Sequence, residues 1–319
     1  MTQLRERIGE RTVVLSLSGG KDSAAAGLYL REQGIPFVAV FNDTGWEHPA
    51  LYAHLDYLAG IFGPVTVLRS EIKIPEAYRA EVEALEARLG RASPMVRWCV
   101  KKAMFPSRMR RWCTQELKAR PFIQWAKAHS DELVNVLGIR HDESAARADW
   151  PEWAQHPDVP SVEVWAPLIA WTVQDVVDIH ARHGVMPCRL YLEGARRVGC
   201  WPCIQSNREE LRLLSRDDVR VGILRDLEAL IARVAAERGH KYSKLWMGPA
   251  WFQSRTPSLS AEGDAPLYPC WPIDRALEWA AETPRGRGQM DLFAALPSEA
   301  GCARWGMCDI YSPKDGESR

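Results

Sequence analysis

The sequence has no surplus of charge, no membrane-length apolar run and no Walker A loop, and each absence removes a class of function. Forty-one basic residues balance forty-one acidic ones. There is therefore no global electrostatic footprint for nucleic acid, and contact with a polyanion would need a local patch. No apolar run approaches the ~20 residues that span a bilayer. The N-terminus, Met1-Thr2-Gln3-Leu4-Arg5-Glu6-Arg7, is too charged for a signal peptide. A cytoplasmic protein without a membrane partner is expected. Internal repeats and low-complexity segments are absent too. In a reducing compartment the eight cysteines do not read as a disulfide framework, so their grouping decides whether some are ligands. The fourteen tryptophans are scattered, as core residues are.

What is present centres on Ser18-Gly19-Gly20-Lys21-Asp22-Ser23. A β-branched run (Thr12-Val13-Val14-Leu15) precedes it and a helix-forming run (24–30) follows. Strand, glycine turn and helix N-terminus together make an anion site from backbone N–H groups and the helix dipole. The glycines allow close approach to phosphate oxygens, the serines add hydroxyl donors, Lys21 adds a mobile positive charge, and Asp22 stands where it could cap the helix or help hold a cation. The loop is not Walker A, because Leu15 occupies the first glycine position and Asp22 follows the lysine.

Strands are expected at 12–15, 36–41, 65–68, 133–137 and 163–166. Helices alternate with them at about 50–61, 76–89, 121–128 and 172–183, the last with Thr172 as N-cap and Asp175 completing a capping box. This alternation predicts an α/β fold with a doubly wound, mostly parallel sheet. Residues 184–207 carry few signs of regular structure. Beyond them, helices at 209–214, 217–237 and 273–281 and a proline-rich tail predict a helical appendage. The expected division is 1–205, a nucleotide-binding α/β domain with the cysteine cluster, and 206–319, helical and loop-rich.

Three constellations carry chemistry. Cys200-Trp201-Pro202-Cys203 is a C-x-x-C that reads as metal ligands, with a redox dithiol or a structural zinc knuckle as alternatives. Cys113 is the best third ligand, and Cys99, Cys188, Cys302 and Cys308 compete to be the fourth; four thiolates suit zinc or a [4Fe–4S] cluster. The stretch 97–120 sets eight Arg and Lys residues against one acid, Glu116, with Lys118 and Arg120 as phosphate or sulfate ligands. Gly138-Ile139-Arg140-His141-Asp142-Glu143-Ser144-Ala145-Ala146-Arg147 places arginines at a sheet edge, where they clamp anions, or else pair with Glu143. His180 and His183 lie at helical spacing but stay outside the expected site, as surface or cap residues.

SGGKDS (18–23), NDTGWEHP (42–49), FPSRMRRWCTQELKARP (105–121), GIRHDESAAR (138–147) and RLYLEGARRVGCWPC (189–203) together resemble the phosphoadenosine phosphosulfate (PAPS) reductase-like family. That family belongs to the PP-loop, or N-type, ATP pyrophosphatases and includes DNA-phosphorothioation sulfurtransferase-like and phage-borne members. The resemblance covers about residues 10 to 210, and the tail with Asp291-Leu292-Phe293 looks like the phage-borne members only. It implies an adenine nucleotide alpha hydrolase-like fold. It further implies that Ser18, Gly19, Gly20, Lys21, Asp22 and Ser23 hold nucleotide phosphates and that Asp43 and Thr44 lie beside the nucleoside. Gly138, Arg140 and Arg147, with Lys118, would face the anionic end; Lys21, Asp22 and Arg140 would be catalytic; Cys113, Cys200 and Cys203 match cluster-ligand positions. ATP with Mg²⁺ and a [4Fe–4S] cluster are the implied cofactors, with zinc as the alternative. Adenine nucleotide, a sulfur donor such as a cysteine desulfurase and a nucleic-acid acceptor are the implied partners. Two departures count: Trp112, not a second cysteine, precedes Cys113, and no Glu-Cys-Gly catalytic tripeptide exists. The expected activity is therefore ATP pyrophosphate cleavage with adenylylation and iron–sulfur-assisted sulfur transfer. The alternatives are a PAPS or adenylyl-sulfate reductase using Cys302 or Cys308, and a non-catalytic nucleotide-binding module with structural zinc.

Overall fold

Five short Val-rich runs pair in parallel in a sheet that helices cover on both faces. In the computed structural model they are β1 (Thr12–Ser16), β2 (Val38–Asp43), β3 (Val65–Arg69), β4 (Leu133–Val136) and, after an antiparallel edge strand β5 (Trp153–Gln155), β6 (Val162–Trp165). The strand order is β3-β2-β1-β4-β6-β5, with only β5 antiparallel. Residues 2–107, 110–129, 132–143, 147–239, 249–253, 258–259, 266–267 and 270–282 are described.

Alternation along β1 decides what covers each face. Val13 and Leu15 point into a core with α2 (Lys21–Glu32), α3 (Pro49–Phe62) and α8 (Val173–Arg182), whereas Val14 packs with Phe122 and Ala126 of α7 (Arg120–His129). The expected capping box of Thr172 and Asp175 starts α8. The second strand begins at Val38, two residues later than expected, after Pro36, which has no N–H to give the ladder. The edge strand β5 is an addition to the expected strands; it runs for three residues between prolines.

The basic stretch begins as the last turn of a helix that charge conceals in the sequence, α5 (Pro94–Lys102), where Lys101 and Lys102 complement the helix C-terminus. Ser93 caps its start by accepting from Val96 N–H. A second apolar core joins α4 (Arg79–Leu89) and α5 to the long α11 (Asp218–Glu237) and to α12 (Ile273–Ala281). Beside it, the half-buried Glu228 carboxylate accepts from Trp251 N–H and Ile273 N–H, fastening two later segments to α11. The stretch 184–207, expected to lack regular structure, contains a single-turn helix at Arg189–Leu192 (α9), and Arg208–Leu214 forms α10. Cys302, Cys308 and Asp291-Leu292-Phe293 lie outside the described residues. No helix among the described residues is long and apolar enough to cross a membrane.

Candidate functional site

The strand order reverses at the parallel pair β1 and β4, so the loops leaving their C-terminal ends are neighbours at the place where open α/β sheets bind ligands. The loop after β1 is Ser18–Ser23. Gly19 holds φ +73°, and a Cβ there would lie 2.3 Å from Leu51 Cδ1, so only glycine fits. The two serines brace the turn from inside: Ser23 Oγ accepts from Ser18 N–H at 3.1 Å and donates to Gly20 O at 2.9 Å, and the hydroxyls stand 3.0 Å apart. These bonds shape the loop from within. Gly20 is the N-cap and no side chain caps the helix, so the expectation that Asp22 could cap α2 is corrected. Asp22 instead accepts from Lys21 Nζ at 2.6 Å and from Arg140 Nε at 2.7 Å. The charged ends of both cations are thereby held over the helix N-terminus.

The loop after β4 presses against the first. A Cβ on Gly138 would fall 2.3 Å from Asp22 O and 2.6 Å from Ser23 N, so this glycine serves backbone packing between the loops. Arg140 is only 2% exposed, and its guanidinium also reaches Asp142. Arg147 pairs with Glu143, one of the two alternatives its spacing allows. Burial pushes the Arg147 pKa down, and the neighbouring Arg197 and Arg140 add to this while Asp22 opposes it. Ser144 and Arg108 lie outside the described residues.

The turn after β2 supplies the third wall. Asp43, 1% exposed, accepts from Gly45 N–H, Tyr52 OH and Arg69, so its carboxylate is spent on fixing the turn. Thr44 Oγ1 donates to Glu47 Oε1 at 2.6 Å and lies 4.0 Å from Cys200 Sγ. The cysteine loop is stitched to this turn: Trp201 N–H donates to Trp46 O at 2.8 Å, and Trp46 Nε1 donates to Pro202 O at 3.2 Å.

Cys113, Cys200 and Cys203 stand near one another and near Lys118. Lys118 is exposed. The thiols raise its pKa, Cys200 most, so it stays charged. Burial pushes the Cys200 thiol up to about 12 against the pull of Lys118, and burial raises Cys113. Burial, the largest cause, likewise lifts the Glu47 carboxyl.

Three thiols beside a charged lysine are donors of the type that zinc or an anionic iron–sulfur group takes. Among the described residues, no group of three or more His, Cys, Asp or Glu is placed so that it could hold a metal ion. Of the competing fourth ligands, Cys99 is fully buried beside Cys113, with its thiol pushed well up by burial, and Cys188 is buried in a separate apolar cluster with α9. A cleft of about 500 Å³ lined by His48, Trp201, Leu213, Arg216 and Asp217 includes none of the phosphate-loop or thiol residues.

Sequence reasoning missed three residues that hold the site. Tyr191 OH accepts from Lys21 N–H at 3.2 Å. Glu47 organises the β2 turn, and His180 reaches the phosphate loop from α8. Tyr191 and Glu47 lie inside quoted motifs, which was the available signal; His180 had none, since the carbonyl it reaches in the loop is far away in sequence.

A model of the phosphoadenosine phosphosulfate reductase domain matches residues 12–206. An uncharacterized 37.8 kDa protein of Escherichia phage 186 is 30% identical over 321 aligned residues, covering 91% of this chain and 94% of the relative. The adenosine 5'-phosphosulfate reductase of Streptomyces coelicolor is 33% identical over 87 residues, 27% of this chain and 34% of the relative. Among solved structures, a PAPS reductase from Candida auris in a phosphate complex is 15% identical with a TM-score of 0.44, over 62% of this chain and 86% of that one.

Proposed function

The chain belongs to the phosphoadenosine phosphosulfate reductase domain family, and from that premise we propose that it is a PP-loop enzyme that activates an acceptor with ATP and replaces the activated oxygen by sulfur. The observation that carries the reading is the meeting, at one sheet edge, of three features. They are an uncapped helix N-terminus behind a glycine loop, the Lys21–Asp22–Arg140 cluster, and three thiols around Lys118.

In this reading Mg–ATP is the substrate. An acceptor oxygen attacks the α-phosphorus, the bond to the β-phosphate oxygen breaks, and pyrophosphate leaves with the electron pair. Backbone N–H groups of the loop and the Lys21 ammonium stabilise that developing charge. Arg140 reorients from Asp22 toward the phosphates as they enter, and Arg147 steers the anion. A sulfur nucleophile at the sulfide level then attacks the activated centre, and AMP departs with the electrons of the broken oxygen bond. Cys113, Cys200 and Cys203 would hold an iron–sulfur group, which supplies sulfur or electron chemistry when bound. The acceptor class includes nucleic acid, and a cysteine desulfurase is one source of sulfur.

The test is incubation with Mg–ATP, sulfide and candidate acceptors. Equal AMP and pyrophosphate are expected; release of orthophosphate, or no turnover with intact protein, refutes the reading. Iron and acid-labile sulfide near four per chain in protein purified without oxygen would support the cluster, and zinc without iron would make the cysteines structural. Sulfonucleotide reduction is the second reading, favoured by the segment similar to an adenosine 5'-phosphosulfate reductase. Sulfite release from PAPS or adenylyl sulfate with a thiol donor would select it.

A further inference from the structure

His180 does not behave as a surface or capping residue. It is 1% exposed, and its ring lies between two backbone carbonyls. Nδ1 is 3.1 Å from Val185 O, and Nε2 is 3.0 Å from Lys21 O. Lys21 is the first residue of α2, so its carbonyl already receives the first-turn helical bond on one lone pair. The imidazole takes the other. Val185 N–H in turn donates to His180 O at 2.9 Å, so residue 185 grips the histidine through both backbone and ring.

Both ring partners are acceptors, so each asks the ring for an N–H. A neutral imidazole has one and serves one carbonyl at a time. Burial, the largest influence, keeps the ring neutral, with the two carbonyls and the Asp22 carboxylate opposing and the Lys21 ammonium of α2 adding to it. From α3, the buried His54 imidazole also faces the ring, and its Nε2 has no hydrogen-bond partner among the described residues. The neutral ring must therefore choose, and only the Nε2–H tautomer holds the phosphate loop.

We propose that His180 is a positioning residue for the loop Ser18–Ser23: the Nε2–H bond to Lys21 O fixes the first turn of α2, and with it the backbone N–H groups offered to the nucleotide. The inference rests on the nucleotide reading of that loop. It concerns the side chain that sets the loop's orientation from a neighbouring helix, which the phosphate motif does not contain.

Two substitutions separate positioning from packing. In His180→Gln the side-chain amide donor falls where Nε2 stood and can reach Lys21 O. In His180→Asn the donor falls where Nδ1 stood and reaches only Val185 O. Both remove the ring and a similar apolar area, so both lower thermal stability by similar amounts. Binding of Mg–ATP is then measured by calorimetry on the full chain. We expect the Gln variant within about twofold of the parent, and the Asn variant weaker by about threefold to tenfold, the worth of one lost neutral hydrogen bond. Equal affinities in the two variants, with the parent binding normally, overturn the positioning role and leave the loop reading intact. A folded parent that binds neither Mg–ATP nor PAPS overturns both. If the Asn variant does not fold, His180→Phe alongside the Gln variant gives the same comparison, because Phe lacks any donor.

Discussion

The contact between the two loops gives a sharp prediction. Replacing Gly138 by alanine would put a methyl group 2.3 Å from Asp22 O, 2.5 Å from Asp22 C and 2.6 Å from Ser23 N. These neighbours are backbone atoms of α2's first turn and cannot rotate away. One loop must retreat by about an ångström to reach ordinary van der Waals separation of ~3.5 Å. Overpacking of this kind costs about 1–3 kcal/mol, and the rigid neighbours put Gly138→Ala at the upper end. For a unit of this size, about 3 kcal/mol lowers Tm by roughly 6–12 °C. The retreat also displaces the turn carrying the Asp22 and Ser23 amides. Losing one charge-assisted bond to a phosphate, about 1.5–3 kcal/mol, weakens nucleotide roughly ten- to a hundredfold. The control is Gly60→Ala: Gly60 is exposed in α3 with nothing within 4 Å of the point a methyl group would occupy, so alanine should raise stability by about 0.5–1 kcal/mol. Differential scanning calorimetry and titration with Mg–ATP read both quantities. An unchanged Tm and affinity for Gly138→Ala would refute the packing argument; a large stability loss with unchanged affinity would refute the loop as nucleotide site.

Lys21→Met should reduce pyrophosphate release by about a hundredfold or more while leaving the fold intact, since it removes a cation aimed at developing charge; a fall in Tm matching the loss of rate would contradict this. Cys200→Ser and Cys203→Ser should each abolish any bound iron by metal analysis while Cys188→Ser leaves it unchanged, because Cys188 sits in a separate apolar cluster. Burial lifts the Glu228 carboxyl from its ordinary 4.5 to about 7. The folded state therefore binds the proton more tightly, so this group's contribution is full below about pH 4.5, is lost as pH rises through about 7, and is flat above. The loss is at most about 3 kcal/mol. Urea unfolding at pH 5 and pH 8 should show a steeper decline for the parent than for Glu228→Gln, and parallel declines would rule the assignment out.

Much of the architecture was legible because its signals are local. Five apolar runs bounded by turn residues named the parallel strands, and Thr172 with Asp175 announced α8 by a capping pair three residues apart. The strand–glycine turn–helix unit at residues 12–32 was legible for the same reason: strand, paired glycines and helix start are contiguous. The edge strand β5 escaped because three residues carry no period and its stability comes from pairing with β6. The helix α5 was hidden by charge, since its basic last turn reads like a surface patch until Ser93 is seen capping its start.

What the sequence by itself determined is which segments become strand or helix and which glycine turn joins β1 to α2, because propensity, capping and glycine torsions act within a few residues. Tertiary structure alone decided the partners of each charged and polar side chain. It put Arg140 on Asp22 across 118 positions, closed the serine hydroxyls on their own loop, seated Lys118 among three thiols, and aimed His180 at the Lys21 carbonyl 159 positions away. Hydrogen bonds and ion pairs act over a few ångströms in space, and distance along the chain carries no record of which groups will come that close.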